Sequence, residues 1–143
     1  MNFLYFDCFS GVSGDMLVSA LIDLGVDLKR FEEEMERLGL ELSLSCQDVV
    51  FNGIKGTQFF INNTQSKTYR HLPEIRKIIN NSSLKPSIKE KSLQVFIKLA
   101  NAEASVHSIS PEKIHFHEIG AIDTIVDIVG TFICLDLLGI EHV

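Results

Sequence analysis

The stretch His-Phe-His-Glu-Ile-Gly-Ala-Ile-Asp, residues 115–123, places two imidazoles and two carboxylates within nine positions. Extended backbone projects alternate side chains to the same side, so we expect His115 and His117 to share one face. Asp123 and Asp127 stand four positions apart, and helical geometry would bring both carboxylates to one side. Imidazole together with carboxylate suits nickel, zinc, iron or manganese. The segment is therefore a candidate metal site.

The segment after residue 121 is otherwise dominated by Ile, Val, Phe and Leu. Acidic side chains on such a helix are costly unless they are paired, hydrated or bound to metal. A structural interpretation stays open, in which the aspartates cap the start of the helix and the histidines pair with them.

A second polar group follows the apolar residues 2–6. Asp7 precedes Ser10-Gly11-Val12-Ser13-Gly14-Asp15, a turn that leads into a predicted helix. Glycines let backbone N–H groups approach a phosphate, and a helix N-terminus favours negative charge. Two alternatives remain: Asp7 and Asp15 hold a cation or act as a base, or Ser13 only caps the helix.

Arg70 and His71 are a third candidate pair, at the entrance of a predicted helix and after the polar loop 62–68. Arginine is suited to bidentate capture of a carboxylate or a phosphate. A solvated helix start is the simpler interpretation of this pair.

The bulk composition limits the class of protein. A chain of 143 residues with 45% hydrophobic and 22% charged residues fits one globular domain. Its net charge of −6 argues against partners such as nucleic acid or a membrane surface. No apolar run has the roughly 18 to 20 residues that a membrane span needs. Three separated cysteines predict free buried thiols in a reducing cytoplasm.

Hydrophobic periodicity predicts how these groups are positioned. The pattern indicates a buried strand at 2–6, a hairpin of strands 40–50 and 57–61 around Asn52-Gly53, an extended segment 113–117, and a strand beginning at 140–143. Helices are predicted over 16–24, from a cap at Asp27 to 38, and over 72–79, 87–107 and 121–138. The predicted fold is α/β, a single domain with a small mixed sheet, including the hairpin, packed against several helices.

Three segments carry a family resemblance, and they occur in the order FDCFSGVSGDMLVSALIDLG, RHLPEI and KIHFHEIGAIDTIVDIVG. Together they resemble the nickel-insertion proteins of nickel-pincer cofactor biosynthesis (the LarC type), across essentially all 143 residues. Members of that family are typically longer. We therefore expect residues 1–143 to correspond to the N-terminal domain of a longer nickel-insertion protein, with the C-terminal domain absent.

The resemblance implies insertion of nickel, as substrate metal, into pyridinium-3,5-bisthiocarboxylic acid mononucleotide, with Ni–S bonds and a Ni–C bond formed. It implies consumption of CTP with Mn or Mg, which makes the full-length protein a cyclometallase of the lyase class. The product serves lactate racemase, so that type of apoenzyme is the downstream partner. The family's CTP site belongs to the C-terminal region. A homo-oligomer is a further partner to consider.

The leading hypothesis is that the first turn and the His-Phe-His-Glu segment meet at one end of the sheet. Metal ligands are then expected among His115, His117, Glu118, Asp127 and Asp7. The precursor's phosphate is expected at Ser10, Gly11, Ser13, Gly14 and Arg70. Asp15 or His71 would be the base that removes the proton from the pyridinium carbon. The family motif also covers Gly120 and Asp123.

Two departures from the family and two rival functions complete the prediction. The loop before Arg70 reads NNTQSKTY, without the histidine-rich tract that family members often carry, and the C-terminal region is missing. A non-catalytic docking domain would use the same histidines and acids as a structural polar network. A metal-dependent phosphohydrolase is the third alternative, and it predicts hydrolysis of generic phosphate esters.

Overall fold

The computed structural model describes residues 1–62, 70–108, 110–114, 116 and 122–143. Its elements in chain order are helices α1 (Gly14–Asp23) and α2 (Leu28–Glu36), strands β1 (Leu44–Phe51) and β2 (Ile54–Ile61), helices α3 (Leu72–Asn81) and α4 (Pro86–His107), a 3₁₀ turn (Pro111–Lys113) and helix α5 (Ile122–Leu137). The α/β class, with a hairpin and several helices, is confirmed.

Helix α5 forms the centre of the core, as its apolar sequence predicts. Its side chains from Ile122 to Cys134 are largely buried, and α1, α2 and α4 pack against it. Gly130 is the point of closest approach: a Cβ there would lie 3.2 Å from the ring of Phe31 and 3.5 Å from the side chain of Val18. A small residue at 130 therefore lets α1 and α2 lie tightly against α5.

The hairpin is antiparallel, with Leu44 opposite Ile61 and Phe51 opposite Ile54. Asn52 and Gly53 both adopt positive φ, at 50° and 81°, which a two-residue turn of this hand requires. The turn was predicted correctly, whereas the strand bounds were not. The first strand begins at Leu44, and the second begins at Ile54, immediately after the turn.

The predicted helix bounds agree with the observed bounds to within two residues. Asp27 caps α2, because its carboxylate accepts a hydrogen bond of 2.8 Å from the Arg30 N–H. Helix α3 continues to Asn81, beyond the predicted end, while α4 ends at His107 as predicted, with Ser108 in the left-handed conformation at φ 54°. No helix in the described part of the chain is both long and apolar enough to cross a membrane.

The N-terminal segment corrects one prediction. Phe3 forms a parallel bridge with His142, so extended chain is present at both predicted ends. The segment is not a buried strand, however, because only Leu4 and Phe6 pack against the core, whereas Phe3 and Tyr5 are exposed. An unbroken apolar run cannot reveal this difference between the two faces.

The three cysteines are free, as predicted, but they are not all buried. Cys134 is buried in α5, Cys46 is half-buried in β1, and Cys8 is exposed in the first turn. Burial, and secondarily Cys46, raises the pKa of the Cys134 thiol to about 12. Cys134 is therefore an inert core thiol at neutral pH.

Candidate functional site

The start of α1 lies directly against α5. Gly14 is the first residue of α1, and a Cβ built on it would lie 2.7 Å from both the carboxyl carbon and Oδ2 of Asp127. A side chain at position 14 would therefore collide with Asp127. Glycine at this position lets the two helices bring their polar groups together, which its predicted role in phosphate binding did not anticipate.

Asp127 is half-buried, and its carboxylate is poorly compensated. Oδ1 is buried and has no hydrogen-bond partner among the described residues. Burial, followed by the nearby charges of Asp15 and Asp123, raises the pKa of the Asp127 carboxyl from 3.8 to about 6. Binding of a cation would lower the free energy of an ionised carboxylate in such surroundings.

The three acids open onto one depression in the surface. Asp15 at the start of α1, and Asp123 and Asp127 on α5, line a space of about 270 Å³. The other described residues of its lining are Phe59, Phe60 and Ile61 of β2. The spacing of Asp123 and Asp127 thus places both carboxylates on one side of α5. No basic side chain is among the described residues of this lining, so the depression favours cations over anions.

Hydrogen bonds through Ser19 fix Asp15 and the hairpin relative to each other. The Ser19 hydroxyl donates to the backbone carbonyl of Asp15 at 2.7 Å and accepts from the Phe59 N–H at 3.0 Å. The Ser13 hydroxyl donates to the Asp15 carboxylate and makes no capping bond to the helix backbone. Ser13 therefore orients an acid at the depression instead of closing the helix end.

His71 lies beside the segment that leads to the predicted histidine ligands. Its Nδ1 is 2.9 Å from the carbonyl oxygen of Ile114, and its backbone N–H donates to Glu74 Oε2 at 2.8 Å. A carbonyl oxygen only accepts, so Nδ1 carries the proton in this contact. In the neutral ring, Nε2 is then the nitrogen with a lone pair, which suits a base or a metal ligand.

The other predicted site residues lie in the first turn, at the entrance of α3, or outside the described residues. Asp7, Ser10 and Gly11 are exposed in the first turn, and Gly11 has φ 81°, which favours glycine. Arg70 is half-buried at the entrance of α3. The remaining predicted residues lie outside the described part of the chain: His115, His117, Glu118 and Gly120.

The described residues do not complete a metal site by themselves. Within residues 1–62, 70–108, 110–114, 116 and 122–143, no group of three or more His, Cys, Asp and Glu side chains is arranged to hold a metal ion. Among the described residues, the carboxylates that act on Asp127 are Asp15 and Asp123, and Asp7 is not one of them. The acids of α1 and α5 therefore do not form a complete metal site among the described residues.

Sequence reasoning missed the residues that build the depression from the hairpin. The sequence predicts Phe59, Phe60 and Ile61 only as part of the returning strand, and it does not distinguish Ser19 as a site residue. Ser19 follows Asp15 by four positions within an apolar helix, which is a signal for a polar contact on that side. The packing of the hairpin over α1 has no equivalent signal in the sequence.

Comparison with known proteins agrees with the family resemblance. The family model for nickel insertion proteins matches residues 4–143. The pyridinium-3,5-bisthiocarboxylic acid mononucleotide nickel insertion protein of Desulfitobacterium hafniense (strain DSM 10664 / DCB-2) is 48% identical over 144 residues. That alignment covers all of this chain and 36% of the relative.

A protein of the same name from Acetivibrio thermocellus is 44% identical over 153 residues, covering all of this chain and 38% of the relative. The chain thus spans little more than a third of the length of these relatives. No solved structure matches it. Because the family model covers nearly the whole sequence, this chain belongs to the nickel insertion protein family.

Proposed function

We propose that this chain takes part in the insertion of nickel into pyridinium-3,5-bisthiocarboxylic acid mononucleotide. Two relatives, 48% and 44% identical, carry that activity in their names, and both are aligned over the whole of this chain. Residues 1–143 would be the N-terminal domain of such a protein, working in the cytoplasm and delivering the product towards a lactate racemase-type apoenzyme. In the full-length protein the reaction would be that of a CTP-dependent cyclometallase of the lyase class.

The contribution of this chain would be a binding site for the divalent nickel substrate at the acidic depression. The observation that supports this most directly is Asp127, whose buried Oδ1 has no described partner and whose pKa is raised to about 6. At neutral pH the carboxylate is mostly ionised and gains by coordinating a cation. Asp15 and Asp123 add negative charge on either side.

Nitrogen ligands would complete this partial shell. His115, His117 and Glu118 belong to the segment immediately before α5, and the predicted ligand set combines them with Asp127. Mixed imidazole and carboxylate ligands suit nickel better than a purely carboxylate set, which favours magnesium or calcium. In this arrangement Asp15, whose charge acts on Asp127, takes the place of Asp7 as the acidic neighbour.

Formation of the Ni–C bond requires that the pyridinium carbon lose its proton. His71 is the candidate base, because it carries an imidazole and its Nδ1 is held 2.9 Å from the Ile114 carbonyl oxygen. Asp15 is the alternative base. The Ile114 contact also joins His71 to the residue that precedes the predicted ligand segment in the sequence.

CTP with Mn or Mg does not fit the depression. A triphosphate would meet three carboxylates there and no described basic side chain. We therefore place nucleotide binding in the part of the longer proteins that this chain does not match. The precursor's single phosphate is better served by Ser10, Gly11 and Arg70 than by Gly14, which already faces Asp127.

Nickel binding tests this proposal directly. Asp127→Asn keeps the shape of the side chain but removes its charge, and we expect it to weaken nickel binding roughly tenfold or more in equilibrium dialysis. Asp136→Asn is the matched control on the same helix, since Asp136 pairs with Lys85 at 2.6 Å, away from the depression. Equal nickel binding by parent, variant and control would contradict the proposal.

The docking-domain alternative makes a different prediction about the same residues. A structural polar network would satisfy its buried atoms internally, whereas Asp127 Oδ1 has no partner among the described residues. If His115→Ala/His117→Ala lowers thermal stability but leaves the nickel content unchanged, the docking alternative is favoured. The phosphohydrolase alternative requires turnover of a generic phosphate ester, which a colorimetric assay would detect.

A further inference from the structure

The exposed face of the N-terminal segment is apolar, although the segment is anchored in the fold. Leu4 and Phe6 point into the core, while Met1, Phe3 and Tyr5 on the opposite side are 80%, 70% and 85% exposed. Alternate residues of an extended segment share a face, so these three side chains form one stripe. We call Met1, Phe3 and Tyr5 the outer stripe.

Backbone hydrogen bonds tie this segment to residues 141–142 through one parallel bridge. The Leu4 N–H donates to the His142 carbonyl at 2.9 Å, and the His142 N–H donates to the Asn2 carbonyl at 3.3 Å. The Phe3 and His142 rings stack with centroids 5.3 Å apart on the exposed side. Among the described residues, the backbone groups of Phe3 and Tyr5 make no such bonds, so the other edge is open.

A parallel strand pair of this kind is normally covered on both faces. Here the helices cover only the inner face, and the outer stripe together with an open strand edge is left uncovered. Exposed aromatic side chains beside unpaired backbone groups are typical of a surface that receives another strand. The composition of the stripe thus indicates a protein partner with apolar side chains.

We propose that the outer stripe is the docking surface for the remaining part of the family's longer chains, which adds a β-strand beside Phe3–Tyr5 and covers the stripe. The relatives supply the length that this requires, because the region matching this chain is only 36% and 38% of theirs. Within one chain, such a strand is held at high effective concentration. This inference goes beyond the nickel site and does not depend on it.

A second copy of this chain is the competing occupant. Each copy carries a net charge of −6, so self-association brings two negatively charged bodies together. Pairing of two copies through residues 2–6 would also leave much of each stripe without a covering layer. In the longer relatives the contact would form within one chain, so two copies of this acidic region would not have to come together.

The test is co-expression with the part of the Desulfitobacterium hafniense relative that lies outside its match to this chain. We expect the parent to form a one-to-one complex in analytical ultracentrifugation. Phe3→Ser/Tyr5→Ser should weaken binding roughly tenfold or more, since buried aromatic side chains dominate such interfaces. Val50→Ser/Phe51→Ser, with side chains 71% and 78% exposed on the hairpin, is the matched control and should bind like the parent.

A second variant and a second measurement distinguish a loss of binding from misfolding. Tyr5→Ser alone changes a side chain that is 85% exposed, and circular dichroism should show an unchanged fold. In the complex, the amides of Phe3 and Tyr5 should exchange with deuterium more slowly, because an added strand accepts their hydrogen bonds. Failure to recover a complex, or equal binding by the stripe variants, would overturn the proposal. So would a parent dimer that the stripe variants convert to monomer.

Discussion

Gly14 and Asp127 approach so closely that a Cβ on residue 14 would lie 2.7 Å from the Asp127 carboxyl carbon. This contact joins the start of α1 to the middle of α5, and it brings Asp15 beside the acids of α5. The negative charge of the depression is therefore a consequence of helix packing, and it depends on the absence of a side chain at one position.

Gly14→Ala should destabilise the protein by about 1 to 3 kcal/mol, the usual cost of forcing extra atoms into a packed contact. The collision involves the base of the Asp127 side chain as well as its carboxyl group, so rotation of Asp127 alone cannot relieve it. Urea unfolding measures the change. Gly56→Ala is the control, since a Cβ at 56 meets nothing within 4 Å. Equal stability of the two variants would show that α1 shifts freely.

Asp127→Asn should stabilise the protein at neutral pH. The folded pKa of about 6 lies above the ordinary 3.8, so the stabilising form of Asp127 is the protonated one. Its contribution is complete below about pH 3.8 and is lost as the pH rises through about 6. The variant should gain about 1 to 2 kcal/mol at pH 7, after allowance for solvent screening of a half-exposed group.

Thermal or urea unfolding between pH 4 and pH 7 measures that difference, which should shrink towards zero at the acid end. Asp123→Asn removes an exposed acid from the same face of α5 and should change stability less. A loss of stability in Asp127→Asn at pH 7 would mean that the charged carboxylate has a favourable partner in the folded protein.

Nickel affinity should fall as the pH is lowered through about 6. A metal ion binds the ionised carboxylate, and protonated Asp127 must release its proton first. Calorimetry in buffers of different ionisation enthalpy counts the protons released. Asp127→Asn should release fewer protons than Asp136→Asn, and identical counts would exclude Asp127 from the ligands.

Ser19→Ala should loosen the hairpin from α1. The substitution removes the acceptor of the Phe59 N–H, whose bond to Ser19 is 3.0 Å long and partly buried. A polar group left without a partner there costs about 1 to 3 kcal/mol. Hydrogen exchange at Phe59 should quicken. Ser105→Ala is the control, because the Ser105 hydroxyl is exposed and bonds only the Ala102 carbonyl within its own helix.

His71 should carry its proton on Nδ1 when the ring is neutral. The Ile114 carbonyl, 2.9 Å away, can only accept a hydrogen bond. Nitrogen-15 chemical shifts of the imidazole, measured at alkaline pH, distinguish the two tautomers. A neutral ring protonated on Nε2 would contradict the contact and would remove His71 from consideration as a base.

The fold was largely predictable where short-range signals determine the structure. The Asp27 cap, the Asn52-Gly53 turn and the apolar run of α5 each depend on neighbouring residues, and each appears as predicted. The exposure of one face of segment 2–6 was not predictable, because both faces of the segment are apolar and only tertiary packing distinguishes them.

The site was predictable in residue types but not in arrangement. The spacing of Asp123 and Asp127 places both acids on one side of α5, as the helical repeat requires. The approach of Asp15 to Asp127 joins residues from opposite ends of the chain, and no local pattern encodes such a contact. The roles of His115, His117 and Glu118, outside the described residues, stay predictions.

The absence of a Cβ at Gly14 also has a consequence for ion discrimination. The carboxylates of Asp15 and Asp127 are carried by two helices whose separation is fixed by backbone packing against Asp127. An ion bridging them would have to match a distance that side-chain rotation adjusts only slightly. The distance between α1 and α5 would then determine which divalent ions, according to their radius, bind at the depression. A substitution at position 14 would then change which ionic radius the depression binds, while the number of carboxylates that face the ion stayed the same.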